Sequence, residues 1–367
     1  MKRAPGPDGP SRAPALPHAS RGLTLAAWAL LGAAVALDLV IDPRVTLAPV
    51  LATAPVLASI GTRRAGVPLL AGLCALFFVA LMALNDTKVP LVTHMTTACT
   101  VLAITCISTA NVVLVATRES ELVHSRSVAV AAQQALLRPV PERVDGLRVA
   151  VRYRAAAAEA RVGGDLYEVL RTPFGVRLLI GDVRGKGLGA IEAAADVLGT
   201  FREAAQVEAE LAAVARRLDA TVRRRGIGED FVTAALLGIP RTGGPVEVVN
   251  CGHLPPLVRH EGQVTAVETG ADRTDPPLGL RELVAGPYHL GTFPFGRGDL
   301  LLLCTDGVTE ARDTSGYFYP LERRFAALRE STPAALADQL VSDLLAYAGG
   351  ELADDAALLV VRREHGG

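Results

Sequence analysis

Aromatic residues make up only 4% of the 367 residues, so a folded core must be built from Ala, Val and Leu. Five cysteines in a chain of this length exclude a disulfide scaffold. Charged residues are also few, at 20%, and the formal net charge is -1, which excludes a global basic field and argues against a nucleic-acid partner. Because half of the residues are apolar, wholesale disorder is excluded as well, and the length predicts about two domains.

The shortage of charge is concentrated near the N-terminus. Residues 1–22 are rich in Pro, Gly, Ser and Arg and are predicted to be a disordered tail. Apolar runs follow at residues 23–41, 45–62, 67–84 and 91–117. A membrane span needs about 20 such residues, so residues 23–117 are predicted to form a transmembrane region of about four helices, the second run being short and interrupted by Pro49 and Pro55. Buried core helices and, for the first run, a cleaved signal peptide are the alternatives.

Basic residues flank these runs unevenly. The flanks before run one, between runs two and three and after run four are richer in basic residues than the other two loops; they hold Lys2, Arg3, Arg12, Arg21, Arg63, Arg64, Arg118 and Arg126. With four spans these flanks lie on one side, which predicts a multi-pass protein of the cell membrane, in contact with lipid, with both termini and the C-terminal domain cytoplasmic. In that reducing compartment no disulfide is expected.

Residues 118–141 are predicted to be a helical linker. The segment 117–137 contains no Gly or Pro, and the sequence Arg138-Pro139-Val140-Pro141 ends the helix. An approximate apolar stripe runs along it through Leu122, Ala129, Ala132 and Leu136. The linker is either a passive spacer or a coiled coil that pairs two copies of the chain as a homodimer.

Residues 142–363 have the pattern of a soluble mixed domain. Strands are predicted at residues 147–153, 176–180, 231–239, 246–250, 300–304 and 356–361, and helices at 189–205, 208–225 and 333–348. Several strands follow one another without an intervening helix. This favours antiparallel pairing in an α+β layered domain.

Aspartates stand at the ends of these strands, beside glycine or another acid. They are Asp165, Asp182, Asp306, Asp354 and Asp355. Strand ends meet at one edge of a sheet, and clustered carboxylates repel one another unless a cation neutralises them. Such oxygen ligands select Mg²⁺ or Mn²⁺, and two ions could activate water and bind a phosphoryl group. Any one of these residues could instead be an ordinary turn or cap residue.

Residues from about 131 to 362 resemble the SpoIIE-like branch of the metal-dependent protein phosphatases (PPM, type 2C). The resemblance rests on seven motifs in order: AQQALLRPVP, VGGDLYEV, GDVRGKGLGAIEAAADVLGTFRE, FVTAALLGI, NCGHLPPLV, LLLCTDGVTEAR and DDAALLVVR. It implies an α-β-β-α sandwich preceded here by an all-α transmembrane bundle. It also implies hydrolysis of phosphoserine or phosphothreonine on a protein, such as an anti-sigma factor antagonist or a similar partner-switching regulator.

Carried onto this chain, the resemblance implies a site for two Mn²⁺ or Mg²⁺ ions. The ligands would be four aspartates and one backbone carbonyl, with Asp182 and Asp306 central to catalysis: Asp165, Asp182, Val183, Asp306 and Asp354. Asp355 and Glu168 are candidates to support the site, Glu168 standing where the family commonly has Asp. Arg161 is a candidate phosphate neighbour or a solvated surface residue. Gly189 stands where the family usually has Ala.

Two functions are therefore compatible with the sequence: an active membrane-tethered phosphatase, or a non-catalytic membrane sensor or scaffold that keeps the fold. Retention of all four aspartates favours the enzyme. The predicted helix 189–205 follows the Asp182 loop directly, so pairing through Leu122 and Leu136 is expected to reposition this helix, near Gly189, and complete the metal site.

The distribution of basic residues makes the topology testable. A reporter fused after Arg118 is expected to be cytoplasmic, and one fused at Asn85 external, because the basic flanks stay inside. A cytoplasmic reporter at Asn85 would show that the proline-interrupted second run does not span.

Overall fold

The structure is a computed structural model. It describes residues 18–38, 40, 47–60, 62–85, 89–156, 163–225, 231–241, 243–267, 275–284, 286–330 and 332–364. The chain divides into two compact units, Met1–His124 and Ser125–Gly367.

The first unit is helical. Its helices are α1 (His18–Asp38), α2 (Thr53–Ser59), which follows a 3₁₀ turn at Ala48–Ala52, α3 (Gly66–Asn85) and the first part of α4 (Leu91–Leu136). Small and medium apolar side chains such as Leu31, Leu51, Ala75 and Val101 form its core. Helix α1 begins inside the predicted tail.

Two segments in this unit are long and apolar enough to cross a membrane: Gly66–Leu84 and Leu91–Glu121. They correspond to the third and fourth predicted spans. The apolar helices in the first two runs are shorter, Leu25–Ala34 and Ala48–Ser59, and fall below the length of about 20 residues that a span requires. The described residues therefore contain two candidate spans where the sequence predicts about four.

Helix α4 is continuous for 46 residues. The predicted linker helix is its C-terminal part and not a separate element, because residues 117–137 continue the preceding apolar helix without a Gly or Pro. The helix ends at Leu136, just before the Arg138-Pro139 pair, as expected.

The second unit contains eleven strands among its described residues. They are β1 (Arg143–Val144), β2 (Leu147–Arg154), β3 (Leu166–Thr172), β4 (Gly175–Val183), β5 (Val232–Ile239), β6 (Val246–Cys251), β7 (Leu257–His260), β8 (Gln263–Ala266), β9 (Gly291–Phe293), β10 (Leu300–Cys304) and β11 (Ala356–Arg363). Sheet I has the order β1-β2-β11-β10-β7-β8, and sheet II has the order β3-β4-β5-β6-β9. Every ladder in both sheets is antiparallel, which confirms the predicted pairing.

Helices cover the outer faces of both sheets. They are α5 (Leu188–Val207) and α6 (Leu211–Arg224) on sheet II, α8 (Leu321–Ala327) and α9 (Pro333–Tyr347) on sheet I, and the short α7 (Asp306–Thr309) after β10. Between the sheets lies an aliphatic core that includes Leu178, Leu237, Leu301 and Leu359. The result is the α-β-β-α sandwich implied by the family resemblance, with a core built mainly from Ala, Val and Leu.

The strand register brings the predicted acids to one end of both sheets. In sheet II, Leu166 pairs with Gly181, so Asp165 and Asp182 stand at adjacent strand ends. In sheet I, Cys304 pairs with Leu358, which places Asp306 beside the start of β11. The acidic edge is therefore assembled from both sheets.

Candidate metal centre

Three carboxylates form the centre of this edge. Asp165, Asp182 and Asp306 each offer an oxygen, and these three oxygens lie within 4.8 Å of one another. Asp165 and Asp182 belong to sheet II, whereas Asp306 is the first residue of α7 and follows β10 of sheet I. The cluster thus crosses the seam between the two sheets.

Asp165 is buried and held from sheet I. The hydroxyl of Thr305 donates a 2.7 Å hydrogen bond to Asp165 Oδ2, and Thr305 Oγ1 accepts one from the backbone N–H of Ala357 at 2.9 Å. Thr305 is fully buried. This chain of hydrogen bonds fixes one carboxylate oxygen of Asp165 across the seam.

All three carboxyl groups are harder to ionise than an ordinary aspartate. Burial and then the charges of Asp306 and Asp354 raise the pKa of Asp182 to about 7. Burial and the neighbouring Asp182 raise the pKa of Asp165, and burial also raises that of Asp306. Like charges held this closely in a buried site repel one another, and a divalent cation would remove that cost.

The donor set fits a hard divalent cation. The cluster contains carboxylate oxygens and neither His nor Cys, which suits Mg²⁺ or Mn²⁺ better than Zn²⁺. The residues present are therefore compatible with the metal that the family resemblance implies.

Two glycines allow the backbone to approach the cluster closely. A Cβ on Gly164 would lie 2.5 Å from the carbonyl oxygen of Val183, the backbone ligand that the resemblance implies. A Cβ on Gly307 would overlap the carbonyl of Asp355. The Gly-Asp and Asp-Gly pairs in the motifs thus have a steric reason, since any side chain would force the strand ends apart.

Asp354 and Asp355 take different positions. Asp354 is 43% exposed and accepts a 2.9 Å hydrogen bond from Lys186 Nζ. It lies outside the group of three carboxylates, although its charge contributes to the raised pKa of Asp182 and Asp306. Asp355 is buried and accepts hydrogen bonds from the N–H groups of Ala156 and Gly163 and from the Tyr153 hydroxyl. Its role in the structure is to hold the loop that precedes Asp165.

Glu168 does not join the cluster. Side chains alternate along β3, so Asp165 and Glu168 lie on opposite faces of sheet II. The Glu168 carboxylate faces α5, where Arg202 Nε donates to it at 2.6 Å. Glu168, a candidate to support the site, thus contacts α5 and is not one of the three clustered carboxylates. Arg161 lies outside the described residues.

Of the predicted regulatory residues, Leu136 lies where α4 contacts the rest of the second unit. Leu136, the last residue of α4, is partly buried against Ile191 of α5, and its carbonyl accepts a 2.9 Å hydrogen bond from Arg202 Nη2. Gly189 lies in the first turn of α5 with open space around its Cα. Leu122 lies within α4, and its side chain is outside the described part of the structure.

Sequence reasoning did not assign several residues that shape the site. Thr305 and Arg202 hold acidic side chains, and Gln133 Nε2 donates to the carbonyl of Gly163 at 3.3 Å. All three occur inside motifs on which the family resemblance rests. The motif positions were the available signal, but a contact partner cannot be read from one sequence.

Removing one charge from the cluster should stabilise the metal-free protein. The folded-state pKa of Asp182 lies above the ordinary value of about 3.9, so ionising this carboxyl against burial and the neighbouring negative charges costs stability as pH rises from about 4 to about 7. At pH 7.5 in EDTA, Asp182→Asn is expected to raise Tm, at about 2–4 °C per kcal/mol of relieved repulsion. Mn²⁺ is expected to raise the Tm of the wild type but not of the variant.

The measurement is thermal unfolding of the full-length chain in detergent micelles, followed by near-UV circular dichroism. Asp338→Asn, which changes an exposed aspartate of α9, serves as the control. A lower Tm for Asp182→Asn in EDTA would contradict the proposed repulsion.

Known sequences match part of this chain. The profile of the family described as Stage II sporulation protein E (SpoIIE) matches residues 172–364, just over half of the chain. The Stage II sporulation protein E of Priestia megaterium is 22% identical over 213 residues, which are 58% of this chain and 35% of that protein. The Bacillus subtilis protein is 21% identical over 215 residues, 58% of this chain and 25% of that protein. The matched part is therefore about a third or less of the length of these relatives.

Solved structures share the fold. The SiaA-PP2C domain of Pseudomonas aeruginosa has a TM-score of 0.55 at 21% identity, covering 67% of this chain and 99% of that one. The PP2C phosphatase domain of SpoIIE from Bacillus subtilis, with a fragment of its regulatory domain, has a TM-score of 0.52 at 20% identity, covering 60% and 65%. With the family profile matching more than half of its length, the chain belongs to the SpoIIE family and carries a domain of the PP2C phosphatase fold.

Proposed function

We propose that this protein is a membrane-tethered, metal-dependent phosphatase that hydrolyses phosphoserine or phosphothreonine on a partner protein. The observation that carries the proposal is the group of three carboxylates, Asp165, Asp182 and Asp306, within 4.8 Å of one another at the seam of a SpoIIE-family sandwich. Membership of the SpoIIE family supports phosphate-ester hydrolysis as the reaction, and the acidic cluster supports catalysis by bound metal ions.

Two Mn²⁺ or Mg²⁺ ions are proposed to bind these three aspartates, the Val183 carbonyl and Asp354. When bound, such ions supply Lewis acidity that activates water and neutralises phosphoryl charge. Thr305 orients Asp165 for this role through its 2.7 Å hydrogen bond. Lys186, paired with Asp354, places an ammonium group at the edge of the cluster, where it would attract a phosphate anion.

The buried cysteines and the buried histidine of this domain are unsuited to act as the nucleophile or the acid of this reaction. Burial raises the pKa of the Cys304 thiol to about 12 and also raises that of Cys251, so neither offers a thiolate at neutral pH. Burial lowers the pKa of His253 to about 4, so its imidazole is neutral there and has no proton to give as an imidazolium acid. Because these side chains offer no nucleophile, we propose direct attack by water on phosphorus: the new P–O bond forms as the bond from phosphorus to the serine or threonine oxygen breaks, and a proton from the water ends on that departing hydroxyl.

Turnover is expected to require Mn²⁺ or Mg²⁺ and the central aspartates. Asp182→Ala and Asp306→Ala should each lower kcat/KM by about 100-fold or more, since loss of a metal ligand exceeds the 10–100-fold effects of residues that only orient ligands. Phosphate release from an aryl phosphate and from phosphopeptides, by the full-length chain in micelles, measures this.

Asp338→Ala, an exposed aspartate of α9 paired with Arg152, is the matched control and should retain activity. Full activity in excess chelator, or in both active-site variants, would contradict the assignment. Metal binding without turnover of any phosphoprotein would favour the non-catalytic sensor or scaffold.

The substrate is proposed to be a phosphorylated partner-switching regulator, such as an anti-sigma factor antagonist, as the family resemblance implies. Phosphoproteomics of cells with and without this protein tests it: the substrate phosphosite gains occupancy in its absence, and the purified protein removes that phosphate. The membrane tether is supported by Gly66–Leu84 and Leu91–Glu121, the two candidate spans, and the multi-pass cytoplasmic orientation by the basic flanks.

Control of the site is proposed to act through the C-terminal part of α4. This segment contacts α5 through Leu136 and Ile191 and contacts the loop before Asp165 through Gln133. Pairing of two copies along α4 would shift α5 and the Asp182 loop toward the metal-competent arrangement. Leu136 is partly buried against Ile191 of its own chain, so a substitution there would alter this packing as well as any pairing.

Leu122→Asp is therefore the better test of pairing than Leu136→Asp. If pairing completes the site, Leu122→Asp lowers phosphatase activity at low Mn²⁺ and is partly rescued at high Mn²⁺, because metal binding also favours the competent state. Activity and cross-linking are measured together on the full-length protein in membranes. Equal Mn²⁺ dependence in wild type and variant would show that α4 is a passive tether.

A further inference from the structure

We propose that His253 is a positioning residue that sets the spacing between the two halves of the acidic cluster. The inference rests on the proposed metal site. It concerns a side chain to which neither the motifs nor the family comparison assigns a role, and which lies at the seam between the two sheets.

The backbone of His253 is held rigidly at the end of β6. Its N–H donates to Asn250 Oδ1 at 2.8 Å, and Asn250 Nδ2 donates back to its carbonyl at 2.9 Å. The preceding Gly252 has φ of 70°, and a Cβ there would lie 2.8 Å from Pro277. The turn therefore requires glycine, and it directs the His253 ring into the seam.

Both ring nitrogens of His253 have partners, one in each sheet. Nε2 lies 3.1 Å from the carbonyl oxygen of Cys304 in β10 of sheet I. Nδ1 lies 3.0 Å from Thr233 Oγ1 in β5 of sheet II. Because a carbonyl only accepts, Nε2 carries the proton, and Nδ1 accepts from the Thr233 hydroxyl. The imidazole is thus a neutral bridge with a fixed tautomer.

Each end of this bridge is adjacent to a cluster carboxylate. Thr233 is the ladder partner of Asp182 in the β4–β5 pair. Cys304 is the last residue of β10, two positions before Asp306. The ring therefore connects the strand residue opposite Asp182 to the strand end that carries Asp306.

Directional contacts between the sheets are needed at the acidic edge because the core between the sheets is aliphatic. Contacts among side chains such as Leu178, Leu237 and Leu301 are non-directional and do not by themselves fix how one sheet lies along the other. Hydrogen bonds do, and at this edge they include the two made by the His253 ring, that of Thr305 to Asp165 and that of the Gly163 N–H to Asp355. A metal site needs its ligands placed to a fraction of an ångström.

Single substitutions test the two hydrogen bonds of the His253 ring one at a time. His253→Gln places an amide near Nε2, where it can still donate to Cys304, but it provides no acceptor for Thr233. Thr233→Val removes the other partner at nearly constant volume, and Thr233→Ser restores a hydroxyl. We expect His253→Gln and Thr233→Val to weaken Mn²⁺ binding by about 10–100-fold, as for other residues that orient metal ligands. Thr233→Ser should bind within a few-fold of wild type.

The double variant His253→Gln/Thr233→Val should bind Mn²⁺ no more weakly than the weaker single variant, because both substitutions break one bridge. The control is His260→Gln, at the opposite end of the β7–β10 pair, where Arg259 pairs with Leu300. Isothermal titration of the full-length chain in micelles gives the Mn²⁺ dissociation constant, and unfolding in EDTA gives the Tm of each variant.

Two results would overturn the proposal, and they are distinguishable. If wild type binds Mn²⁺ and both His253→Gln and Thr233→Val bind it equally well, whatever their Tm, His253 only stabilises the fold. If wild type binds no Mn²⁺, the proposed metal site itself is wrong, and the role of His253 falls with it.

Discussion

The crowding of three carboxylates at one edge, Asp165 buried and Asp182 and Asp306 half-buried, is the constraint around which this domain is built. Each of Asp165, Asp182 and Asp306 has a raised pKa, which means that the fold bears an electrostatic cost at neutral pH. That cost must be met by contacts elsewhere, and three aliphatic clusters flank or separate the sheets. Apolar burial supplies stability without precision, so position at the acidic edge has to come from hydrogen bonds and close backbone contacts.

Several residues around the cluster position its carboxylates. Thr305 fixes Asp165 from the opposite sheet, and Asp355 holds the Gly163 N–H in the loop before it. Gly164 and Gly307 let the strand ends approach one another more closely than any side chain would allow. Asp355 is a useful contrast with its neighbour Asp354, because its oxygens are occupied by protein donors whereas Asp354 faces Lys186 and solvent.

The acidic edge was predictable in part, because the aspartates stand beside glycine or another acid at the ends of apolar strands; that these ends share one edge depends on the pairing and register of both sheets. The family resemblance and the layered α+β fold were predictable because the seven motifs follow one another in the family's order, and both were confirmed. The different placements of Asp354 and Asp355 were not predictable, since adjacent residues in an extended chain point to opposite sides and only the register decides which faces the cluster.

The contact of Glu168 with α5 was not foreseen for a related reason. The strand β3 was not recognised in the sequence. The alternation of side chains between the two faces of that strand, which puts Asp165 and Glu168 on opposite faces, therefore could not be used. In the helical region, hydropathy identified the apolar runs, but the shortness of Ala48–Ser59 and the continuity of α4 depend on where helices end, which is the least certain feature of a single sequence.

The end of α4 reaches the cluster by two routes of different length. One passes through Leu136 and Arg202 to α5, whose first turn follows the Asp182 loop. The other is shorter: Gln133 binds the Gly163 carbonyl, and the Gly163 N–H binds Asp355. A change at α4 would thus act on two of the three aspartates, on Asp182 through α5 and on Asp165 through its loop. Because both aspartates belong to sheet II, such a change would move them relative to Asp306. The distance between these two parts of the cluster is the one that the hydrogen bonds of His253 constrain.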